Sequence, residues 1–147
     1  MAGFKYSHRL SGGTPTIIEI VSSDATLNVG DLVNVESQKL DLAVTNDTAL
    51  LGAVIAPGDP LLADGDTISG MDTTTDTVAV CVDPDAVYSV VDANARKLGD
   101  LLDITGGTGA QSVGAPTNND LVVVAPSTAT QRTKVMISQI NHAIAGK

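Results

Sequence analysis

The side chains that most often carry catalysis are scarce in this chain, which has two histidines, His8 and His142, and one cysteine, Cys81. Both histidines lie near the ends of the sequence, where the rigid, partly buried setting that acid–base catalysis needs is uncommon. The single cysteine cannot form an intrachain disulfide, and the apolar run around it favours a buried, unreactive thiol. We therefore expect no histidine- or cysteine-based chemistry.

Two further segments resemble ligand-binding motifs without completing them. Residues 106–109 (Gly-Gly-Thr-Gly) could superficially cradle a phosphate, but they lack the lysine and the Ser/Thr of a P-loop. They are predicted to form a flexible hairpin tip. Residues 64–72 have the spaced carboxylates of a calcium loop, but the glycine falls one place late and no glutamate closes the loop. We expect a solvated loop there, no metal or cofactor, and no enzyme activity.

The charge balance limits the partners. The chain has 147 residues, with 8 Lys and Arg against 17 Asp and Glu, which gives a net charge of −9. Nucleic acids and anionic membranes attract clustered cations, so neither is an expected partner. Runs of 18 apolar residues are absent, as is a basic start followed by an apolar stretch, so we expect neither a membrane-spanning helix nor a secretory signal.

Short runs of β-branched residues alternate with turn signals, a pattern typical of all-β proteins. Fifteen of the acidic residues are Asp, which favours turns over helix interiors. Residues 93–98 could form one helical turn, and residues 135–144 could form an amphipathic helix, although a strand ending near residue 140 is preferred. The predicted strands cover residues 16–21, 32–35, 40–44, 50–56, 77–82, 86–91, 101–105, 121–125 and 133–140.

Residues 1–15 differ from the rest and are predicted to form a flexible N-terminal arm, followed by a single β domain over residues 16–147. The arm holds two of the three aromatic residues and precedes a hinge-like Ser-Gly-Gly sequence, whereas residues 40–95 contain no Lys or Arg. A frayed terminus would explain this composition as well as a partner-binding arm would. The candidate partner-binding residues are apolar or aromatic anchors and cations: Phe4, Lys5, Tyr6, Arg9 and Leu10.

A weak internal repeat relates residues 16–71 to residues 85–140 at an offset of 69. Gly-Asp-Leu-Val-Asn-Val at residues 30–35 matches Gly-Asp-Leu-Leu-Asp-Ile at residues 99–104. Val-Ile-Ala-Pro at residues 54–57 matches Val-Val-Ala-Pro at residues 123–126 in the same register. Each Gly-Asp pair is predicted to be a tight turn that opens a strand, because glycine supplies unusual φ angles and aspartate bonds nearby amides.

This organisation resembles the tailed-phage head decoration, or capsid cement, proteins, including the lambda-type head decoration protein and its relatives. The resemblance covers about residues 15–140. It consists of the arm, the Gly-Asp-Leu-Val strand at residues 30–33, the Leu-Gly-Ala-Val-Ile-Ala segment at residues 51–56, the second Gly-Asp-Leu-Leu strand, and the final Lys-Val-Met-Ile strand at residues 134–137.

The resemblance implies a compact β-tulip or β-clip-like barrel on the outer capsid surface of the virion. It implies homotrimers at threefold or quasi-threefold sites of an icosahedral head, with the arm bound to neighbouring major capsid proteins, and it carries no catalytic residues. Two alternatives stay open at this point. One is a carbohydrate- or cation-binding β module, for which only Tyr88 is an aromatic residue outside the arm, and the other is a trimeric β-clip hydrolase.

Overall fold

The computed structural model describes residues 3–55 and 65–144, and these residues confirm the all-β class. Thirteen strands run through them, and one 3₁₀ turn at Gln139–Asn141 follows the last strand. The strands are β1 (Phe4–Arg9), β2 (Ile17–Val21), β3 (Leu27–Asn28), β4 (Leu32–Glu36), β5 (Lys39–Leu42), β6 (Leu50–Ala53), β7 (Thr67–Ile68), β8 (Thr77–Cys81), β9 (Ala86–Val90), β10 (Leu101–Thr105), β11 (Ser112–Gly114), β12 (Leu121–Ala125) and β13 (Thr133–Ile137).

The strands form open sheets, so the prediction of a barrel is wrong. The largest sheet has six strands in the order β1-β9-β13-β12-β10-β11, and its outermost strands, β1 and β11, do not pair with each other. A three-stranded sheet, β5-β4-β6, and two strand pairs, β2-β8 and β3-β7, complete the fold. A barrel requires each strand to have two neighbours, and these sheets keep their edges.

Two buried clusters of mostly aliphatic side chains hold the sheets together. Alternating residues of each strand point to opposite faces, so one face of the six-stranded sheet supplies most of the first cluster. That cluster includes Phe4, Leu32, Leu50, Tyr88, Leu102, Ile104, Leu121, Val123, Val135 and Ile137. The second cluster lies between the three-stranded sheet and the β2-β8 pair, and it includes Leu27, Val33, Leu40, Leu51, Val54, Val78 and Val80.

The two Gly-Asp turns have the same local structure, which confirms the turn prediction. Gly30 and Gly99 both adopt positive φ, at 101° and 89°. Their amides donate to the carbonyls of residues 54 and 123, in each case over 2.8 Å. Asp31 and Asp100 each accept the amide of the residue three positions earlier, over 2.8 and 2.9 Å. Strand pairing also repeats, since residues 32 and 53 pair as residues 101 and 122 do.

The segments with helical alternatives are mainly extended. The last strand ends at Ile137, earlier than the predicted residue 140, and the 3₁₀ turn follows it. Residues 93–98 form no helix, and Arg96 makes an isolated bridge with Ser127 instead. Within the described residues, no helix has the length and apolar character needed to cross a membrane.

His142 is a core residue rather than part of a loose tail. Its side chain is only 1% exposed, and its backbone bridges to Leu50 of β6. The imidazole Nδ1 accepts the Ile144 amide over 3.0 Å. Burial lowers the pKa of His142 below its ordinary value, so the neutral ring is favoured in the folded protein.

We expect the free energy of unfolding to fall as the pH drops below about 6.5, because the unfolded chain then protonates His142 more readily than the folded protein does. One such group gives a slope of at most about 1.4 kcal/mol per pH unit. Urea denaturation between pH 7.5 and pH 5 measures the slope. His142→Gln should flatten this slope. An unchanged slope in His142→Gln would contradict this assignment.

Candidate partner-binding surface

The predicted arm is a strand of the six-stranded sheet, so the prediction that it is flexible is wrong for residues 4–9. β1 pairs antiparallel with β9, with Phe4 opposite Val90 and Arg9 opposite Ala86. The Phe4 side chain is 2% exposed and packs in the first core cluster. An aromatic side chain buried in this way stabilises the fold and is not available to a partner.

The absence of a side chain at Gly30 allows the backbone of β1 to pack closely against the first Gly-Asp turn. The Phe4 amide donates to the Gly30 carbonyl over 3.2 Å. A Cβ atom at Gly30 would lie 2.2 Å from the Phe4 carbonyl oxygen, so only glycine admits the strand this closely. The first Gly-Asp turn therefore both starts β4 and makes room for β1.

A polar network fastens the end of β1 to the turn before β9. Arg9 Nε donates to Asp85 Oδ1 over 2.9 Å, and its guanidinium lies 3.5 Å from Asp83 Oδ1. The hydroxyl and amide of Ser11 both donate to Asp85 Oδ2. Hydrogen bonding by the Ser11 hydroxyl is the main reason that the pKa of Asp85 is lowered to about 2. The network adds side-chain hydrogen bonds and ion pairs to the backbone pairing of β1 with β9.

The other predicted arm residues differ in how far they reach solvent. Tyr6 is half-buried and meets Tyr88 edge to face, with ring centroids 6.3 Å apart. Lys5 is exposed, and Leu10 is 59% exposed. Among the described residues, no strand pairs with the outer edge of β1. The role of Lys5, Tyr6, Arg9 and Leu10 in binding a partner stays a prediction.

β2 is a second open edge, and it is apolar. Its sequence is Ile-Ile-Glu-Ile-Val, and it pairs with β8 alone. Ile17 and Ile18 point to opposite faces, yet both are exposed, at 37% and 38%. Exposed apolar edge strands tend to pair with another chain unless something covers them. β2 is therefore the strand in the described residues best suited to intermolecular contact.

A basic cluster lies on the outer face of the six-stranded sheet, and sequence reasoning missed it. Ser89 on β9 is paired with Lys5 on one side and Lys134 on the other, so the three side chains share a face. The Arg132 guanidinium donates to Ser89 Oγ from Nε and to the Ser89 carbonyl from a terminal nitrogen, both over 2.9 Å. We call Lys5, Ser89, Arg132 and Lys134 the Ser89 cluster.

A cavity of about 260 Å³ opens beside the Ser89 cluster, where β12 ends and β13 begins. Two of its lining side chains are cationic, one carries an amide, and two are apolar. The lining residues are Ala125, Pro126, Gln131, Arg132 and Lys134. The cavity residues all come from the hairpin between β12 and β13, whereas Lys5 and Ser89 join the cluster through the register of β1, β9 and β13.

The glycine-rich tip at residues 106–109 packs against the first Gly-Asp turn. The Gly109 amide donates to Asp31 Oδ1 over 2.9 Å, and the Thr108 hydroxyl donates to Asp31 Oδ2. The carboxylate of Asp31 thus occupies the amide and hydroxyl that a phosphate would need. The tip is a structural contact between the two halves of the sequence.

The residues that suggested the alternative functions are placed as follows. Tyr88 is 1% exposed, so it has no face on which a sugar could stack. Cys81 is buried as predicted, and burial raises the pKa of its thiol. Of residues 64–72, Asp64 lies outside the described residues. The described part of the chain contains no group of three His, Cys, Asp or Glu residues placed to hold a metal ion.

Comparison with known proteins gives a limited result. No protein-family model matches the chain, and no curated protein matches it. Among solved structures, the chain is similar to the N base of the head fiber gp8.5 of bacteriophage phi29, at 15% identity and a TM-score of 0.46. The match covers 85% of this chain and 95% of that chain. A TM-score of this size establishes neither a shared fold nor a shared function.

Proposed function

We propose that the protein is a structural component of a tailed-phage head, a decoration protein that binds the outer capsid surface and has no enzyme activity. In this role it binds the shell as a trimer at threefold or quasi-threefold sites, bridges neighbouring major capsid proteins and stabilises the shell. The sequence organisation that resembles the capsid cement proteins supports the proposal. The exposed outer edges of β1 and β2 are the structural observation that carries it.

β1 is the proposed contact with the capsid. A strand of a capsid protein that added to its outer edge would gain backbone hydrogen bonds with little demand on sequence. Leu10 and Lys5 then lie beside the added strand as an apolar and a cationic contact. This differs from a free arm, because β1 stays in its own sheet while it binds. Binding at many repeated sites would stabilise the shell by mass action.

β2 is the proposed contact between copies of this chain. Burying its two exposed isoleucines against another copy removes apolar surface from water, at roughly 25 cal/mol per Å². Since both side chains are partly exposed, a polar replacement there should not disturb the core.

We expect Ile18→Lys to reduce the trimer to monomers, because three lysines would be buried or brought together at the interface. Light scattering after size exclusion measures the mass, and circular dichroism checks that the fold is retained. Val44→Lys is the matched control, since Val44 is equally apolar, lies outside β2 and is exposed. A wild-type protein that is monomeric at all concentrations would contradict the trimer.

The direct test of the function is the copy number of the protein in density-purified virus particles, measured by quantitative mass spectrometry. A decoration protein is present in fixed proportion to the major capsid protein, and mild stripping removes it together with shell strength. Absence from particles, with the protein left soluble in the lysate, would overturn the proposed function.

A further inference from the structure

The two Gly-Asp turns, residues 29–32 and residues 98–101, share a backbone structure but differ in exposure. In the first turn, Val29 and Leu32 are 5% and 0% exposed. The equivalent residues of the second turn, Leu98 and Leu101, are 68% and 40% exposed. Two exposed leucines on one short turn are a candidate contact surface. The repeat therefore contains one covered copy and one uncovered copy of the same turn.

Two segments of the chain cover the first turn. The Phe4 amide donates to the Gly30 carbonyl over 3.2 Å, and the Phe4 side chain lies in the same buried cluster as Leu32. The glycine-rich tip at residues 106–109 donates an amide and a hydroxyl to the carboxylate of Asp31. The first turn thus binds an extended strand through an aromatic anchor, and its aspartate binds uncharged donors.

The corresponding groups of the second turn lack these contacts. Among the residues that the structure describes, no donor bonds the Gly99 carbonyl. A Cβ atom at Gly99 would meet no heavy atom within 4 Å, whereas one at Gly30 would lie 2.2 Å from the Phe4 carbonyl oxygen. Asp100 Oδ2 accepts the Lys97 amide, and within residues 3–55 and 65–144 no donor bonds Oδ1. The second turn therefore offers the same acceptors and apolar residues in an accessible form.

The charges at the second turn indicate a partner without net charge. Lys97 is exposed and Asp100 is half-buried, so one cation and one anion lie three positions apart in the turn. The neighbouring Arg96 is already engaged by Asp92. A strongly acidic or basic segment would meet attraction from one of the two charges and repulsion from the other. A neutral segment avoids that repulsion.

We propose that the second Gly-Asp turn binds an uncharged, extended segment of a partner protein that carries an aromatic anchor. The amide of the anchor donates to the Gly99 carbonyl, its ring covers Leu98 and Leu101, and a hydroxyl of the segment donates to Asp100. Aromatic residues are favoured anchors at protein interfaces. The surface is separate from the outer edges of β1 and β2, so the proposal stands whether or not the partner is a capsid protein.

The test uses the full-length, ¹⁵N-labelled protein and the capped hexapeptide Ala-Gly-Phe-Thr-Tyr-Ser, which follows residues 2–7 with threonine in place of Lys5. We expect saturable shifts of the amide resonances of Leu98, Gly99 and Leu101. These shifts should change little between about 50 and 500 mM salt, because no ion pair contributes to binding.

Two altered peptides test the anchor. Serine in place of phenylalanine should weaken binding by about tenfold or more, because it removes the aromatic ring. A methyl group on the phenylalanine nitrogen keeps the ring but removes the donor for the Gly99 carbonyl, and it should weaken binding by about threefold or more.

Leu98→Ser should raise the dissociation constant of the parent peptide by about fivefold or more, because it removes apolar surface that the ring covers. Leu10→Ser is the matched control, since it makes the same change at a leucine that is 59% exposed, and it should raise the constant by less than about twofold. Both leucines are more than half exposed, so both variants should keep the wild-type spectrum away from the substitution.

Several results would overturn the proposal. These are the absence of saturable shifts up to about 10 mM peptide, shifts centred on β2 or β9, and equal losses in the two leucine variants. A methylated peptide that binds as tightly as its parent would rule out the contact with the Gly99 carbonyl. Shifts of the same three amides that depend on the concentration of the protein alone would assign the turn to a second copy of the chain instead.

Discussion

Replacing Gly52 by alanine is expected to lower the free energy of unfolding by about 3 kcal/mol or more, a large fraction of the stability of a domain of this size. A Cβ atom at this position of β6 would lie 1.8 Å from the Cys81 carbonyl oxygen and 2.7 Å from the Tyr88 hydroxyl. The carbonyl belongs to the backbone of β8, so relief requires a strand to move rather than a side chain to turn.

Chemical denaturation of Gly52→Ala measures this loss, with Gly107→Ala as the matched control. A Cβ atom at Gly107 meets no heavy atom within 4 Å, and Gly107 is not among the glycines with positive φ. The control should change stability by no more than about 0.5 kcal/mol. A loss below about 1 kcal/mol in Gly52→Ala would mean that β6, β8 and β9 do not meet as described.

Replacing Phe4 by alanine is expected to lower the free energy of unfolding by about 3 to 5 kcal/mol, because it empties a buried aromatic site. The loss should also free β1, so the amides of β1 and of the facing edge of β9 should exchange with solvent faster. Urea denaturation gives the energy, and hydrogen exchange locates the change.

Leu10→Ala is the control for Phe4→Ala, since Leu10 is more than half exposed and should contribute no more than about 0.5 kcal/mol. If Phe4→Ala behaved like the control, β1 would be undocked in solution, and the flexible arm predicted from the sequence would be restored.

The elements that the sequence predicts well are those whose cause is local. The Gly-Asp turns follow from a glycine at positive φ and an aspartate that bonds an amide three residues earlier. The strand at Leu101–Thr105 has its predicted bounds because β-branched and aliphatic residues lie between clear turn signals. These turns and this strand can be predicted from neighbouring residues alone, because their structure does not depend on contacts with distant parts of the chain.

The features that the sequence does not predict depend on residues far apart in it. Burial of Phe4 needs the gap at Gly30, and burial of His142 needs the bridge to Leu50. The Ser89 cluster forms only with the observed register of β1, β9 and β13. A slip of one residue in any of these strands would move its side chains to the other face of the sheet. Composition near the N terminus shows that the segment is unusual but not where it docks.

The pairing of β1 with β9 has a consequence for biosynthesis. Phe4 is synthesised long before its partner Val90, so this pair cannot form until β9 has also left the ribosome. Until β9 is available, β1 is unpaired and its two aromatic side chains are exposed to solvent. Where many copies are translated together, β1 of one chain can add to the vacant β9 edge of another and exchange strands between them. Dilute, slow synthesis therefore favours correctly closed single chains.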